Sequence, residues 1–104
     1  MRRVLWSPLG LALYERDVLD YLDTQGESAV RRVRSDIERA IQVLAQRPIG
    51  RPGHISGTYE KGVIGQPYTI AYTLLPRDDG APDDILILRI VHTSRDWPPG
   101  RWPH

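Results

Sequence analysis

Apolar residues recur at helical intervals in the first half of the chain and alternate along strands in the second. Leu11, Tyr14, Val18 and Leu22 stand three or four apart, the spacing that gathers side chains on one face of a helix. Ser7 and Pro8 supply its start: a hydroxyl to accept from a free first-turn amide, then a proline where no amide is required. Gly26 supplies its stop. A second stripe, Val30, Val33, Ile37, Ile41 and Leu44, predicts a helix that begins near Ser28 and ends at Pro48. Each stripe residue removed from water contributes roughly 1.5–3 kcal/mol, so both helices need a surface to cover. Their short connection makes them antiparallel neighbours.

The strand pattern comes in four pieces. Residues 3–6 form a short candidate at the start. After "IGRPG", which reads as a turn, "HISGTYEKG" is short and marked by glycine. In "QPYTIAYTLL", Tyr68, Ile70, Tyr72 and Leu74 face one way and Thr69, Ala71 and Thr73 the other. The polar loop "PRDDGAPDD" then leads to "ILILRIVH", apolar on both faces and therefore expected in the middle of the sheet. The order is β-α-α-β-β-β. It implies an α+β fold, an N-terminal strand and a helical hairpin packed on one face of an antiparallel sheet, with residues 1–104 forming one domain. No helix is left for the other face. Leu86, Leu88 and Ile90 alternate with Ile85, Ile87, Arg89 and Val91, so either face carries apolar residues. The second face is covered by a partner, or by the chain's own tail with Trp97 and Trp102.

Composition narrows the picture. With 40% hydrophobic and 26% charged residues, the chain has the balance of a globular protein. No apolar run approaches the ~20 residues needed to span a bilayer, and the basic-then-apolar start is interrupted by Pro8 and Gly10, so a cytoplasmic protein is expected. The absence of cysteine removes disulfides and thiolate metal sites, and His54, His92 and His104 lack metal-ligand spacing. No cofactor is expected. Net charge is only +1 but unevenly placed: residues 11–28 are acidic and residues 29–61 basic. Thirteen of the fourteen basic side chains are arginine, which favours two-pronged contacts to phosphates and carboxylates; a solvated helix face gives the same count.

Candidate chemistry concentrates where the last strand ends. Arg89, His92 and Arg95 arrive within seven positions, followed by Asp96, Trp97 and Pro98. His92 can act as acid or base because imidazole titrates near neutrality. It can equally close the strand end with hydrogen bonds. Arg51, Arg89 and Arg95 can hold phosphates, while Tyr68 and Tyr72 can stack on bases. For Arg95 the plain alternative is a surface ion pair with Asp96; for Trp97 it is packing on the core rim. Strand alternation sends Arg89 and His92 to opposite faces unless a bulge intervenes.

Four motifs in order, "VLWSPLGLALYERDVLDYL", "GRPG", "GTYEKGVIGQPYTIAYTL" and "ILRIVHTSRDWP", resemble the RelE/ParE superfamily, the toxins of bacterial type II toxin–antitoxin modules. The resemblance covers nearly the whole chain. It implies a small basic-faced toxin that arrests growth and is wrapped by a cognate antitoxin. Some members cut messenger RNA on the ribosome; those nearer ParE inhibit DNA gyrase. Nuclease members usually carry an arginine on the middle strand, and close relatives one in the segment after "GT". Here the middle strand has none, and Tyr59 stands in that segment. The sequence therefore looks more like the ParE side. A ribosome-dependent nuclease is the alternative, and a non-toxic protein- or nucleic-acid-binding module the third reading.

Overall fold

The computed structural model describes residues 2–47, 50–53 and 55–93. The chain runs β1 (Val4–Trp6), α1 (Pro8–Tyr14), a π-helical stretch (Glu15–Asp20), α2 (Tyr21–Asp23), α3 (Glu27–Gln46), β2 (Arg51–Pro52), β3 (Thr58–Gly62), β4 (Tyr68–Leu75) and β5 (Asp84–His92). The strands form one sheet in the order β1-β5-β4-β3-β2. Among the described residues no helix is long and apolar enough to cross a membrane.

The helix signals act where the spacing put them. Ser7 caps α1, its Oγ accepting from the Gly10 amide at 2.9 Å, with Pro8 in the first turn. Gly26, at φ 112°, turns the chain into α3 without a side-chain clash. Between them the first helix widens into six residues of π-helix, which the apolar spacing did not announce. On α3 the apolar stripe is buried: Val33, Ile37 and Leu44, joined by Ala40 and Ala45.

The sheet is mixed rather than wholly antiparallel. β1 lies parallel to β5, with Val4 opposite Ile85 and Trp6 opposite Ile87, while β2 to β5 pair antiparallel. "GRPG" is more than a turn: Arg51 and Pro52 form a two-residue strand opposite Glu60 and Tyr59. β5 does sit inside the sheet, between β1 and β4.

A bulge in β5 decides what each face carries. Ala71 pairs with Arg89 but its neighbour Tyr72 pairs with Ile87, so Leu88 is the extra residue. Simple alternation put Leu86, Leu88 and Ile90 on one face. The bulge instead brings Ile85, Ile87 and Ile90 onto the helix side, with Tyr68, Ile70 and Tyr72 of β4. These residues and the α3 stripe make the main core. The displaced Leu88 carbonyl points at the start of α1, accepting from Ser7 Oγ at 3.4 Å. A side chain at Gly10 would run into that carbonyl, so only glycine lets α1 approach so closely.

The far face differs from the bare apolar surface expected of it. It carries Thr58 and Glu60 of β3, Thr69 and Ala71 of β4, and Arg89 of β5, with a small apolar group of Ala71, Leu88, Ile55 and Leu86. Thr58, Glu60 and Thr69 are buried polar residues. The tail with Trp97 and Trp102 lies outside the described residues.

Candidate functional site

β4 and β5 sort the candidate side chains into two groups. Tyr68, Tyr72 and His92 belong to the helix side of the sheet. His92 pairs with Tyr68 across the strands, and their rings meet edge to face with centroids 5.4 Å apart. Tyr68 is buried and Tyr72 wholly so. The Tyr72 hydroxyl accepts from the Gly50 amide at 2.9 Å, and its ring stacks on Tyr59 at 5.6 Å. Burial raises the Tyr72 pKa, partly opposed by the Gly50 bond. The ring therefore has no face open to a base: it ties the segment before β2 onto the sheet.

Arg51 and Arg89 belong to the far face. Register sets Arg51 opposite Glu60, Glu60 opposite Ala71, and Ala71 opposite Arg89, one row across four strands. At the usual strand separation the two arginine backbones stand roughly 14 Å apart. Each has a carboxylate beside it. The Arg51 guanidinium lies 3.5 Å from Glu60, whose side chain is only 6% exposed while that of Arg51 is 76% exposed. Arg89 lies 3.8 Å from Asp17 of the π-helical stretch, whose other oxygen accepts from Arg16 Nε at 2.9 Å. Contacts this long add little stability. Their effect is to hold two cations in set directions while leaving donors for another anion.

His92 and Arg89 thus leave the sheet from opposite faces. The bulge does not reunite them, because Leu88 precedes Arg89 and alternation runs unbroken from Arg89 to His92. General acid–base catalysis needs its groups within hydrogen-bond reach of one reacting centre. These two do not share one. Arg95 and Trp97 lie outside the described residues. The sequence reading passed over Asp17 and Glu60 as arginine partners. Glu60 was legible in part, since strand alternation from Thr58 puts it on the Ala71 face. Asp17 was not, because its reach depends on the π-helical turn.

No curated protein matches the chain. The family described as ParE toxin of type II toxin-antitoxin system, parDE, matches residues 11–97, a span holding every candidate residue and the chain from the middle of α1 through β5. The chain belongs to this ParE toxin family, within the RelE/ParE superfamily, and is a toxin of a type II toxin–antitoxin system with a cognate antitoxin as its partner.

Proposed function

We propose that the toxin, one domain over residues 1–104 acting in the cytoplasm, arrests growth without cutting RNA, by binding DNA gyrase in the manner of the ParE side of the superfamily. The observation that carries this reading is the placement of Arg89 and His92 on opposite faces of the sheet, which keeps Arg89 from stabilising a phosphate held beside His92. The absence of an arginine on β4, which reads Tyr68, Thr69, Ile70, Ala71 and Tyr72, supports the same conclusion. What remains is a binding surface. Arg51 and Arg89 are its contact groups, set by Glu60 and Asp17.

Two assays run side by side test it. Purified toxin should inhibit gyrase supercoiling, and messenger isolated from arrested cells should show no new codon-positioned ends. Arg51→Ala and Arg89→Ala should each weaken target binding by about 1.5–3 kcal/mol, the usual loss for a charge-assisted contact. Intact supercoiling together with cuts on ribosome-bound messenger would replace this reading with the nuclease one. Expression without growth arrest would leave only a binding module.

A further inference from the structure

α3 carries a second pattern on the side away from its buried stripe. Ser28, Arg32, Ser35, Arg39, Gln42 and Gln46 follow one another at intervals of four and three, and all six are exposed. That spacing puts them in one line along the outer face of the helix, opposite Val33, Ile37 and Leu44. The line runs about 27 Å from Ser28 to Gln46. It holds cations and neutral hydrogen-bonding groups and no carboxylate. Arg31 stands beside it and Arg47 just past its end, both exposed. Since α3 covers the helix side of the sheet, this line and the Arg51–Arg89 row look out from opposite sides of the molecule.

The carboxylates of α3 lie to either side. Glu27, Asp36 and Glu38 stand about 80–100° round the helix from the middle of the line. Glu38 turns toward the cavity between α3 and β1, which it lines with Trp6 and Tyr14. Asp36 turns the other way and accepts from Gln66 Nε2 at 3.0 Å, beside the β3–β4 turn. Their hold on the arginines is loose: Arg31 meets Glu27 and Arg39 meets Asp36 at 3.4 Å each, with the arginines 74% and 72% exposed. Among the described residues Arg32 takes part in no ion pair. Exposed pairs of this kind are worth little, so another anion displaces them readily. A protein partner would need an apolar centre to its interface, and among the described residues Val43, 39% exposed, is the one large apolar side chain that α3 turns outward. Arginine, serine and glutamine without such a centre are instead the side chains that meet the phosphate and sugar oxygens of a nucleic acid. Arg32 and Arg39 stand about 10 Å apart along the helix, close to the rise of three nucleotides on one strand of a duplex. Glu15, Asp20 and Asp23 on the first arm of the hairpin are exposed as well, so a polyanion has to lie along α3 and not across both arms.

We propose that the outer line of α3 binds the phosphate backbone of duplex DNA, the DNA that gyrase holds while the far face of the toxin contacts the enzyme. The inference rests on the gyrase reading and adds a second partner to it. The toxin then bridges enzyme and substrate: the Arg51–Arg89 row meets protein, and Arg32 and Arg39 each meet a phosphate, with Ser35 and Gln42 donating between them. Contacts to the backbone read no sequence, so the line fits any duplex. So few contacts are weak alone. They count once gyrase has brought DNA within reach, where the second contact forms at a high effective concentration.

The test measures binding of full-length toxin to gyrase alone and to gyrase loaded with a linear duplex, each at about 50 and about 200 mM salt. The probe variant is the double substitution Arg32→Gln, Arg39→Gln, whose exposed positions should leave the melting temperature unchanged. The duplex should tighten binding of the parent toxin and not of the variant. Each phosphate contact adds about 0.9 to the slope of log K against log salt, so the rise in salt should weaken the parent about tenfold more than the variant on loaded gyrase. On gyrase alone the two should respond alike. The charge-conserving pair Arg32→Lys, Arg39→Lys should keep the parent's salt dependence. Equal affinity and equal salt response of parent and glutamine variant on the loaded enzyme would make the line a solvated helix face and end the proposal, with the gyrase reading intact. A variant that loses affinity for gyrase without DNA would assign the line to the protein and overturn it. Cross-linking of the line to ribosomal RNA in arrested cells would assign it to RNA and overturn it as well. A parent toxin that binds gyrase in neither form would sink the gyrase reading and the proposal together.

Discussion

The two faces of the sheet are built from the same strands, yet they do different work. On the helix side Ile70, Tyr72, Ile85 and Ile87 have no exposed surface and meet Ile37 and Leu44 of α3. On the far side the same strands place threonine, alanine, glutamate and arginine in register. The first face removes large apolar surface from water and so carries the fold's stability. The second keeps polar groups in place and offers charge. The bulge at Leu88 divides the roles within β5, moving Ile90 onto the core side and Arg89 onto the far side. One inserted residue thus lets a continuous apolar run serve a core and a binding surface at once.

The largest test of that contrast is paired. Ile87→Ala should cost about 2–5 kcal/mol in denaturant unfolding, since it leaves a cavity among rigid neighbours. Thr73→Ala, on the far face, loses an exposed bond in which Thr73 Oγ donates to the Gly57 carbonyl at 2.7 Å, and should cost about 0.5–1.5 kcal/mol. Equal losses would break the division. If Thr73→Ala instead proved the larger, the far face would be the structural one.

How much of this contrast could be read from the chain follows from the range of the forces involved. The α3 stripe, the Ser7 cap, Gly26 and the alternation of β4 are local patterns, and each appears where its residues put it. The bulge is not local. Nothing in "ILILRIVH" distinguishes Leu88, whose carbonyl meets Ser7 and Gly10 at the start of α1, about 80 residues away in the chain. The parallel pairing of β1 with β5 escaped for the same reason: it joins residues 81 apart. In the candidate site, alternation correctly separated Arg89 from His92. The acidic partners are less visible, since Asp17 meets Arg89 only through a helical turn of unusual width. The expectation of Tyr68 and Tyr72 as stacking platforms misses their burial in one core with the α3 stripe, which strand alternation alone does not reveal.

A smaller effect sharpens the comparison through pH. Tyr14 and Tyr72 both belong to the helix-side core. Burial pushes Tyr14 up to about 12, and Tyr72 also upward. A buried phenol with a raised pKa holds its proton in the folded state after the unfolded chain has lost it. Its contribution is therefore fully present below about pH 10 and declines as pH climbs toward 12. Unfolding free energy should fall in that window by an amount on the order of 1–2 kcal/mol for Tyr14. Tyr14→Phe should flatten that part of the curve, with Tyr72 supplying the residue. Because the orphaned Tyr14 hydroxyl gains nothing from burial, the same variant should be at least as stable as the parent at neutral pH. A variant less stable at pH 7 would show that the hydroxyl is bonded after all.

The smallest expected effect falls at the boundary between the faces. His92 closes β5 on the helix side, half-buried, with its ring edge-on to Tyr68. Removing the ring loses that aromatic contact, about 0.5–1.5 kcal/mol. His92→Ala should therefore lower the melting temperature slightly and leave growth arrest almost intact. Arg89→Ala, three residues earlier on the far face, should do the reverse: little change in melting, a clear loss of arrest. The two substitutions sit on one strand and differ mainly in the face they occupy, so their opposite responses would locate the target contact on the far face. If a folded His92→Ala protein lost arrest, and codon-positioned messenger cuts seen with the parent toxin vanished with it, His92 would be the catalytic acid or base. The helix-side rim would then be the working surface, and the far-face arginines would be left to the antitoxin or to solvent.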